Sequence, residues 1–295
     1  MDIPSTGKDD ADLVWLYASF TDRIDGGNPG GVVVSSRPLS SAGAQSVASV
    51  FGLPTTGFVL LERDRPQQSV PVRFFTPRRE IDACGHVTVA IAYALVEQGL
   101  WEWGGDFTVH TRGGDLPLRL RANQVEIDQQ LRVLEPSPVD WHDVEAALGA
   151  LARHDELPLH VAGTALRHLM VPLRDSSSLA TVSLDADRIG RLAARAGVET
   201  ICVFAPTGAP GRVRVRDLCA AIGAIEEPAS GTTSAALALY LHERHLADGE
   251  LVVEQGVEMG RPSHIEIRVR APGEATIRGT ARKVLAGVLA APTNE

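Results

Sequence analysis

The sequence predicts an α+β protein built as two similar halves, each with strands gathered around one buried apolar helix. The first observation is a repeated motif. EIDACGHVTVAIAYALVEQG (residues 80–99) is paraphrased by EEPASGTTSAALALYLHERH (residues 226–245). In both, a Glu is followed after three residues by a small nucleophile-type side chain and a Gly: Glu80…Cys84-Gly85 and Glu226…Ser230-Gly231. The second observation is that each motif runs into a segment apolar on nearly every side, the pattern of a fully buried helix. The third is order: the strand VPVRFF precedes the first motif and VRVRDL the second. An internal duplication accounts for all three, with a strongly curved sheet wrapped around each central helix.

Each element has its own signal. DLVWLYA (12–18) and GVVVS (31–35) read as strands on either side of the turn DGGNPGG. SSAGAQSVASVFG (40–52) starts on Ser and stops on Gly, as a short helix does. TGFVLLER and VPVRFFT read as strands, followed by the first motif and by strands near 107–111, 117–121 and 124–128. EPSPVDWHD (135–143) interrupts the pattern with two prolines and charge. The boundary is therefore set near 130: an N-terminal half, 1–130, carries Cys84-Gly85-His86, and a C-terminal half, 131–295, carries Glu226-Glu227-Pro228-Ala229-Ser230-Gly231. The last strand is left free to return to the N-terminal half. The second half continues with helices near 140–150 and 184–197. Its strands fall near 158–163, 166–173, 200–205, 212–217, 250–255, 263–270 and 275–279, and the tail APTNE reads as loose.

Composition narrows the function. Hydrophobic residues are 44% and charged residues 22% of the 295, so the chain can bury a sizeable core. With a net charge of −9 and no basic cluster interleaved with aromatics, nucleic acid is a poor partner. No run approaches the roughly 18 apolar residues a membrane span needs, and the polar, acidic start lacks the layout of a signal peptide. Three scattered cysteines, Cys84, Cys202 and Cys219, argue against a disulfide framework or a zinc site and for a reducing, cytoplasmic setting.

The polar residues of both motifs sit at the heads of their helices, with Ser230 or Gly231, and Gly85 or His86, where an N-cap belongs. A helix N-terminus offers unpaired N–H groups and partial positive charge. That suits a substrate carboxylate or a developing enolate, and the same field favours a thiolate at Cys84. Acid–base groups facing a small acid between two such ends can move a proton on a carbon next to a carboxylate.

These residues resemble the phenazine-biosynthesis isomerase family (PhzF-like), relatives of diaminopimelate epimerase. The matching pieces are GGNPGGVVV (26–34), RFFTPRREIDACGHVTVAIAYAL (73–95), HVAGTALRHLMVPLRDSSSL (160–179), VFAPTG (203–208) and EEPASGTTSAALALYL (226–241). The resemblance implies two pseudo-symmetric halves, each a β-barrel-like sheet around a central helix. It also implies an active site between the halves, no cofactor and no metal, and a homodimer. The family's proton-shuttling Glu falls on Thr55 in PTTGFV (54–59), and threonine cannot shuttle a proton at neutral pH. The family's Asp before the motif proline is Glu227, and the second cysteine of the epimerases is Ser230.

Cys84, His86 and Glu227 are thus the expected acid–base groups. Their plainer readings are a small core thiol, a capping imidazole and a solvated loop carboxylate. Gly85, Gly231 and Thr232 are expected to bind an anion, with Ser230, Asn28 and Thr55 as polar contacts and Asp82 as a neighbour that tunes Cys84 or His86. Ordinary caps, an Asn-Pro turn and a surface acid are the alternatives. Gly163 and Thr164 are weaker contacts, Arg73 reads as structural, and Cys202 and Cys219 as core. The expected activity is a cofactor-independent isomerase of secondary metabolism, in pathways to antibiotics. It would shift a double bond by 1,3-type proton transfer in a small unsaturated cyclic or amino-acid-like carboxylate, such as an alkylated proline precursor. A single-carbon epimerase using Cys84, and a non-catalytic small-acid binder, stand as alternatives.

Overall fold

The computed structural model describes residues 12–61, 68–247 and 249–289, and the chain folds as two compact units. The expected loose tail, 291–295, lies outside the described residues. The first unit takes residues 1–25, 29–127 and 279–295; the second takes 26–28 and 128–278.

The first unit opens with β1 (Leu13–Ser19) and β2 (Asn28–Ser35). A crossover through α1 (Ser41–Phe51) leads to β3 (Thr55–Leu60), which runs parallel to β2. Ser40 caps α1 by accepting from the Gly43 amide, and Gly52, at φ 62°, ends it in the left-handed region. β4 (Ser69–Phe75) pairs antiparallel with β3, and β5 (Glu80–Ile81) with β4. α2 (Gly85–Glu97) follows. β6 (Asp106–Thr111) lies parallel to β4, and β7 (Gly114–Arg121) and β8 (Gln124–Gln130) continue as antiparallel hairpins.

The second unit repeats this order of pairings, with β10 (His160–Gly163) standing beside its next strand as β1 does beside β2; β9 (Val133–Pro136) precedes it, antiparallel to β10, with α3 (Trp141–Leu148) between them. β11 (Arg167–Pro172), α4 (Ala186–Ala196) and the parallel β12 (Thr200–Pro206) form its crossover. β13 (Arg212–Leu218) and β14 (Glu226–Glu227) lead to α5 (Gly231–His242). β15 (Glu250–Gln255) is parallel to β13 and is followed by β16 (Ser263–Ala271) and β17 (Glu274–Gly279). The last strand, β18 (Ala281–Val288), runs antiparallel to β1 in the first unit.

Helices α2 and α5 are the cores of their units. In α2, Val87, Val89, Ala90, Ile91, Ala92, Ala94 and Leu95 are all fully buried, and in α5 every residue from Thr233 to Tyr240 is. Each large aliphatic side chain removed from water here stabilises by about 1.5–3 kcal/mol. The sheet presses close on α2: a Cβ at Gly57 would come within 2.8 Å of Val87 and Ile91, and one at Gly30 within 2.8 Å of Val87. Helices α1 and α4 instead cover outer faces, α4 burying Ile189, Leu192, Ala193 and Ala196 along one stripe.

Three strand expectations need correction. β2 starts at Asn28, inside the stretch read as a turn. β9 runs through residues 133–136, where the prolines suggested an interruption. β18 lies beyond 275–279, the last strand expected; the return of a last strand to the N-terminal half was left open, and β18 makes it by pairing with β1 at the other end of the chain.

Candidate active site

In the first unit, Cys84 is the N-cap of α2, in extended backbone at φ −150°, ψ 112°. It displaces Gly85 and His86 from the cap position expected of them. Its side chain makes no capping bond, and the ladder starts only with the Thr88 amide on the Cys84 carbonyl, 3.0 Å away. The amides of the first turn therefore stand outside it. The half-buried Cys84 Sγ lies 3.4 Å from His86 Nδ1 and 3.8 Å from Nε2. His86 is 7% exposed, and its backbone carbonyl accepts from Ser19 Oγ at 2.7 Å. Burial lowers the imidazole pKa from 6.5 to about 4, against an opposing hydrogen bond at Pro29. At neutral pH the imidazole beside Cys84 is therefore uncharged.

The motif is anchored from behind by Arg73, whose guanidinium grips Glu80 through two bonds of 2.8 and 2.7 Å. Asp82 is exposed, and its carboxylate faces Arg112 at 3.3 Å. Thr55 is buried at the start of β3, beside Gly30 in register.

In the second unit the same construction recurs with different chemistry. Arg216 grips Glu226 at 2.9 and 2.6 Å, and its remaining nitrogen donates to the Leu179 carbonyl. Glu226 is therefore engaged and buried, while Glu227 stays half-buried. Ser230 caps α5, accepting from the Thr233 amide at 3.4 Å, and Ser234 Oγ returns to the Ser230 carbonyl as Thr88 Oγ1 does to Cys84. Gln255 fixes the approach, donating to the Glu227 carbonyl and accepting from the Ser230 amide. Asn28 is fully buried and donates to the Ala229 carbonyl at 2.9 Å, so it holds the motif backbone. Thr164 Oγ1 reaches the Thr232 carbonyl at 3.5 Å; Gly231 is buried and Thr232 keeps partial access.

Sequence reasoning missed the residues behind Glu227. Asp217, on β13, is its direct cross-strand partner and is 1% exposed. Thr233 Oγ1 donates to Asp217 Oδ2 at 2.7 Å and lies 2.9 Å from Ser230 Oγ and 3.2 Å from His168 Nδ1. His168 Nδ1 is also 2.7 Å from Thr200 Oγ1. Burial raises the Glu227 carboxyl from 4.5 to about 8, helped by the Asp217 charge, and raises Asp217 from 3.8 to about 6 against its hydroxyl donors. Burial lowers His168 from 6.5 to about 3. The available signal was an Asp in the strand VRVRDL and a His in the apolar strand RHLMVP.

Among the described residues, two groups have atoms close enough to share a metal ion. Asp217, Cys219 and Glu227 offer atoms within 4.8 Å of one another. Burial beside carboxyls pushes the Cys219 thiol up, and its Sγ donates to the Asp217 carbonyl, so it is held as a thiol and is a poor ligand. Asp140, His142 and Asp143 sit at the head of α3, where Asp140 and Asp143 form its capping box.

The family model described as "Phenazine biosynthesis-like protein" (PhzC-PhzF) matches residues 17–287. A Deinococcus radiodurans protein named as an uncharacterized isomerase is 33% identical over 272 residues, covering 87% of this chain and 86% of its own. A trans-2,3-dihydro-3-hydroxyanthranilate isomerase of Pseudomonas aeruginosa is 29% identical, covering 84% of this chain and 87% of its own. Among solved structures, a Bacillus anthracis protein of the PhzF family superposes with a TM-score of 0.84 at 24% identity, covering 95% and 99% of the two chains. A hydroxyproline epimerase of Agrobacterium vitis superposes with a TM-score of 0.60 at 12% identity, covering 96% and 93%. These two show the fold alone.

Proposed function

Because the chain belongs to the phenazine biosynthesis-like family, which includes named isomerases, we propose that it is a cofactor-independent isomerase acting on a small unsaturated cyclic or amino-acid-like carboxylate. The reaction is a 1,3-type proton transfer. A base removes a proton from the carbon beside the carboxylate, the electron pair delocalises into a dienolate, and an acid returns a proton at the far carbon. No co-reactant is consumed.

The observation that carries this reading is Glu227, a half-buried carboxyl on β14 just before α5, directly across the ladder from the buried Asp217; burial and the Asp217 charge push its pKa up to about 8. A group with its pKa near the working pH is suited to deliver a proton. Cys84, at the N-cap of α2 with His86 Nδ1 3.4 Å from its Sγ, supplies an acceptor. First-turn amides at Gly85, Gly231 and Thr232 suit the carboxylate or the dienolate oxygen. The repeated order of pairings supports two pseudo-symmetric, barrel-like halves. Exposed Val284, Leu285 and Val288 on β18 support a homodimer, and three free cysteines support a cytoplasmic setting.

Thr55 offers no titratable group, which points away from trans-2,3-dihydro-3-hydroxyanthranilate as the substrate and toward ring-unsaturated amino acids such as proline precursors of antibiotic pathways. The test presents both classes to the enzyme in D2O. Double-bond migration incorporates deuterium and changes the ultraviolet spectrum, and Glu227→Gln slows it by about 10²-fold or more. Exchange at the α-carbon with an unchanged spectrum would establish the epimerase instead. Binding without exchange would leave only a small-acid binder.

A further inference from the structure

We propose that Asp217 and Glu227 form a carboxyl pair holding one shared proton at neutral pH, with Glu227 the member open to substrate and Asp217 the residue that positions it. This rests on the reading above for what the proton does.

The two residues face each other directly across the β13–β14 ladder, and their carboxylate oxygens, with Cys219 Sγ, lie within 4.8 Å of one another. Asp217 is almost wholly enclosed, whereas Glu227 keeps a partly open surface. Two carboxylates this close and this buried cannot both ionise without a cation.

The elements packed around the pair carry their charges elsewhere. On β13, Arg216 is engaged by Glu226 and the Leu179 carbonyl, and Arg214 faces Glu254. On β14, Glu226 is matched by Arg216. β11 contributes His168, which burial keeps neutral. β12 contributes Thr200 and Cys202, whose thiol burial keeps protonated, and Cys219 behind β13 is held in the same way. From α5 come Ser230 and Thr233, and from β15 the uncharged Gln255. Among the described residues, no cation contacts either carboxyl, so one proton takes the place of the missing positive charge.

Hydroxyls fix which member is which. Thr233 Oγ1 donates to Asp217 Oδ2, while Ser230 and His168 press on Thr233 from its other sides. Donors favour the ionised form of Asp217. The proton then rests on Glu227, where it is available to substrate. Once Glu227 has given it up, the two like charges drive its recovery from solvent.

The test is 13C NMR titration of protein labelled at the Asp and Glu side-chain carboxyls, with the two signals assigned by Asp217→Asn and Glu227→Gln. The expected result has one carboxyl of the pair still protonated at pH 7. Replacing either member then lowers the midpoint of the other by about one pH unit or more. Glu227→Gln sits at a half-buried position and serves as the reciprocal test should Asp217→Asn not fold. Two ionised carboxyls at pH 7, or midpoints indifferent to the partner's replacement, overturn the proposal. On the reacting enzyme, Asp217→Asn shifts the alkaline limb of the pH–rate profile to lower pH, which a purely structural role would not do. The two readings separate cleanly. Coupled titration with full turnover in Glu227→Gln keeps the pair and removes Glu227 from catalysis; uncoupled titration with an inactive Glu227→Gln does the reverse.

Discussion

The two units place different chemistry at matching positions behind their motif helices. In the first, the ladders set Gly57 opposite Phe74 and Phe74 opposite Ile81, with Val87 facing them from α2. In the second, Cys202 stands opposite Asp217 and Asp217 opposite Glu227, with Thr233 supplied by α5. His168 stands beside Thr200 in the register where Gly30 stands beside Thr55. The scaffold around both is the same: an Arg–Glu clamp, a short β-bridge, and a Thr or Ser bonded back to the capping residue. One unit closes the space with hydrocarbon and leaves a thiol and an imidazole at the helix head. The other fills it with carboxyls and hydroxyls. The lesson is that this scaffold fixes where a helix head sits, and a few inward side chains decide whether it holds a proton.

The sharpest way to break the comparison is to move the polar solution into the apolar unit. Phe74→Asp loses a fully buried ring and leaves a carboxylate among Gly57, Val87 and Ile91 with no donor; it is expected to cost about 5 kcal/mol or more. Urea unfolding at pH 7 reads it directly.

The reverse exchange is milder. Asp217→Leu strips the acceptor from Thr233 and leaves buried polar groups unmatched, for about 3 kcal/mol in the same assay. Adding Thr233→Val should recover part of that loss, because the unmatched hydroxyl goes with it.

Glu227→Gln is expected to stabilise, with a sign set by pH. The folded carboxyl is raised above its unfolded value, so its contribution is fully present below about 4.5 and lost as pH rises toward 8. The variant should therefore gain on the native protein across that window, reaching about 1–2 kcal/mol at pH 8.5 after allowing for partial exposure. The buried histidines act on the acid side. Their folded pKa values are depressed, so the stability they confer is present above 6.5 and is lost as pH falls toward 4 for His86 and 3 for His168.

The smallest effect is kinetic. Iodoacetamide should label Cys84 at least about tenfold faster than Cys202 or Cys219, which are buried and whose thiols are pushed up. Mass spectrometry of the alkylated peptides checks it. Equal rates would mean that Cys84 lacks the access a substrate-facing thiol needs.

Much of this fold was legible because local signals agreed with it. Ser40 and Gly52 bracket α1, and the all-round apolar runs mark α2 and α5 as central. β18 was not, since a strand whose residues 282–286 are exposed carries little alternation and gains its partner from the opposite end of the chain. For the candidate site, the proposed members Cys84, His86, Ser230 and Glu227 could be read from motif position. Asp217 was legible only in part. In RVRVRDL the period-two alternation sets Asp217 on the same face as the buried Val213 and Val215, but its pairing with Glu227 comes only from the strand register. Asp82, next to the motif in sequence, forms a surface pair with Arg112.

The most direct test of the contrast between the units is a double-mutant cycle of Asp217→Asn and Glu227→Gln, measured by urea unfolding at pH 5 and pH 8.5. The account predicts near-additivity at pH 5, where both carboxyls are protonated. At pH 8.5 it predicts a coupling of about 1 kcal/mol or more, because removing either charge relieves the other. Additivity at both pH values would contradict it, leaving the second helix head with two independent acids.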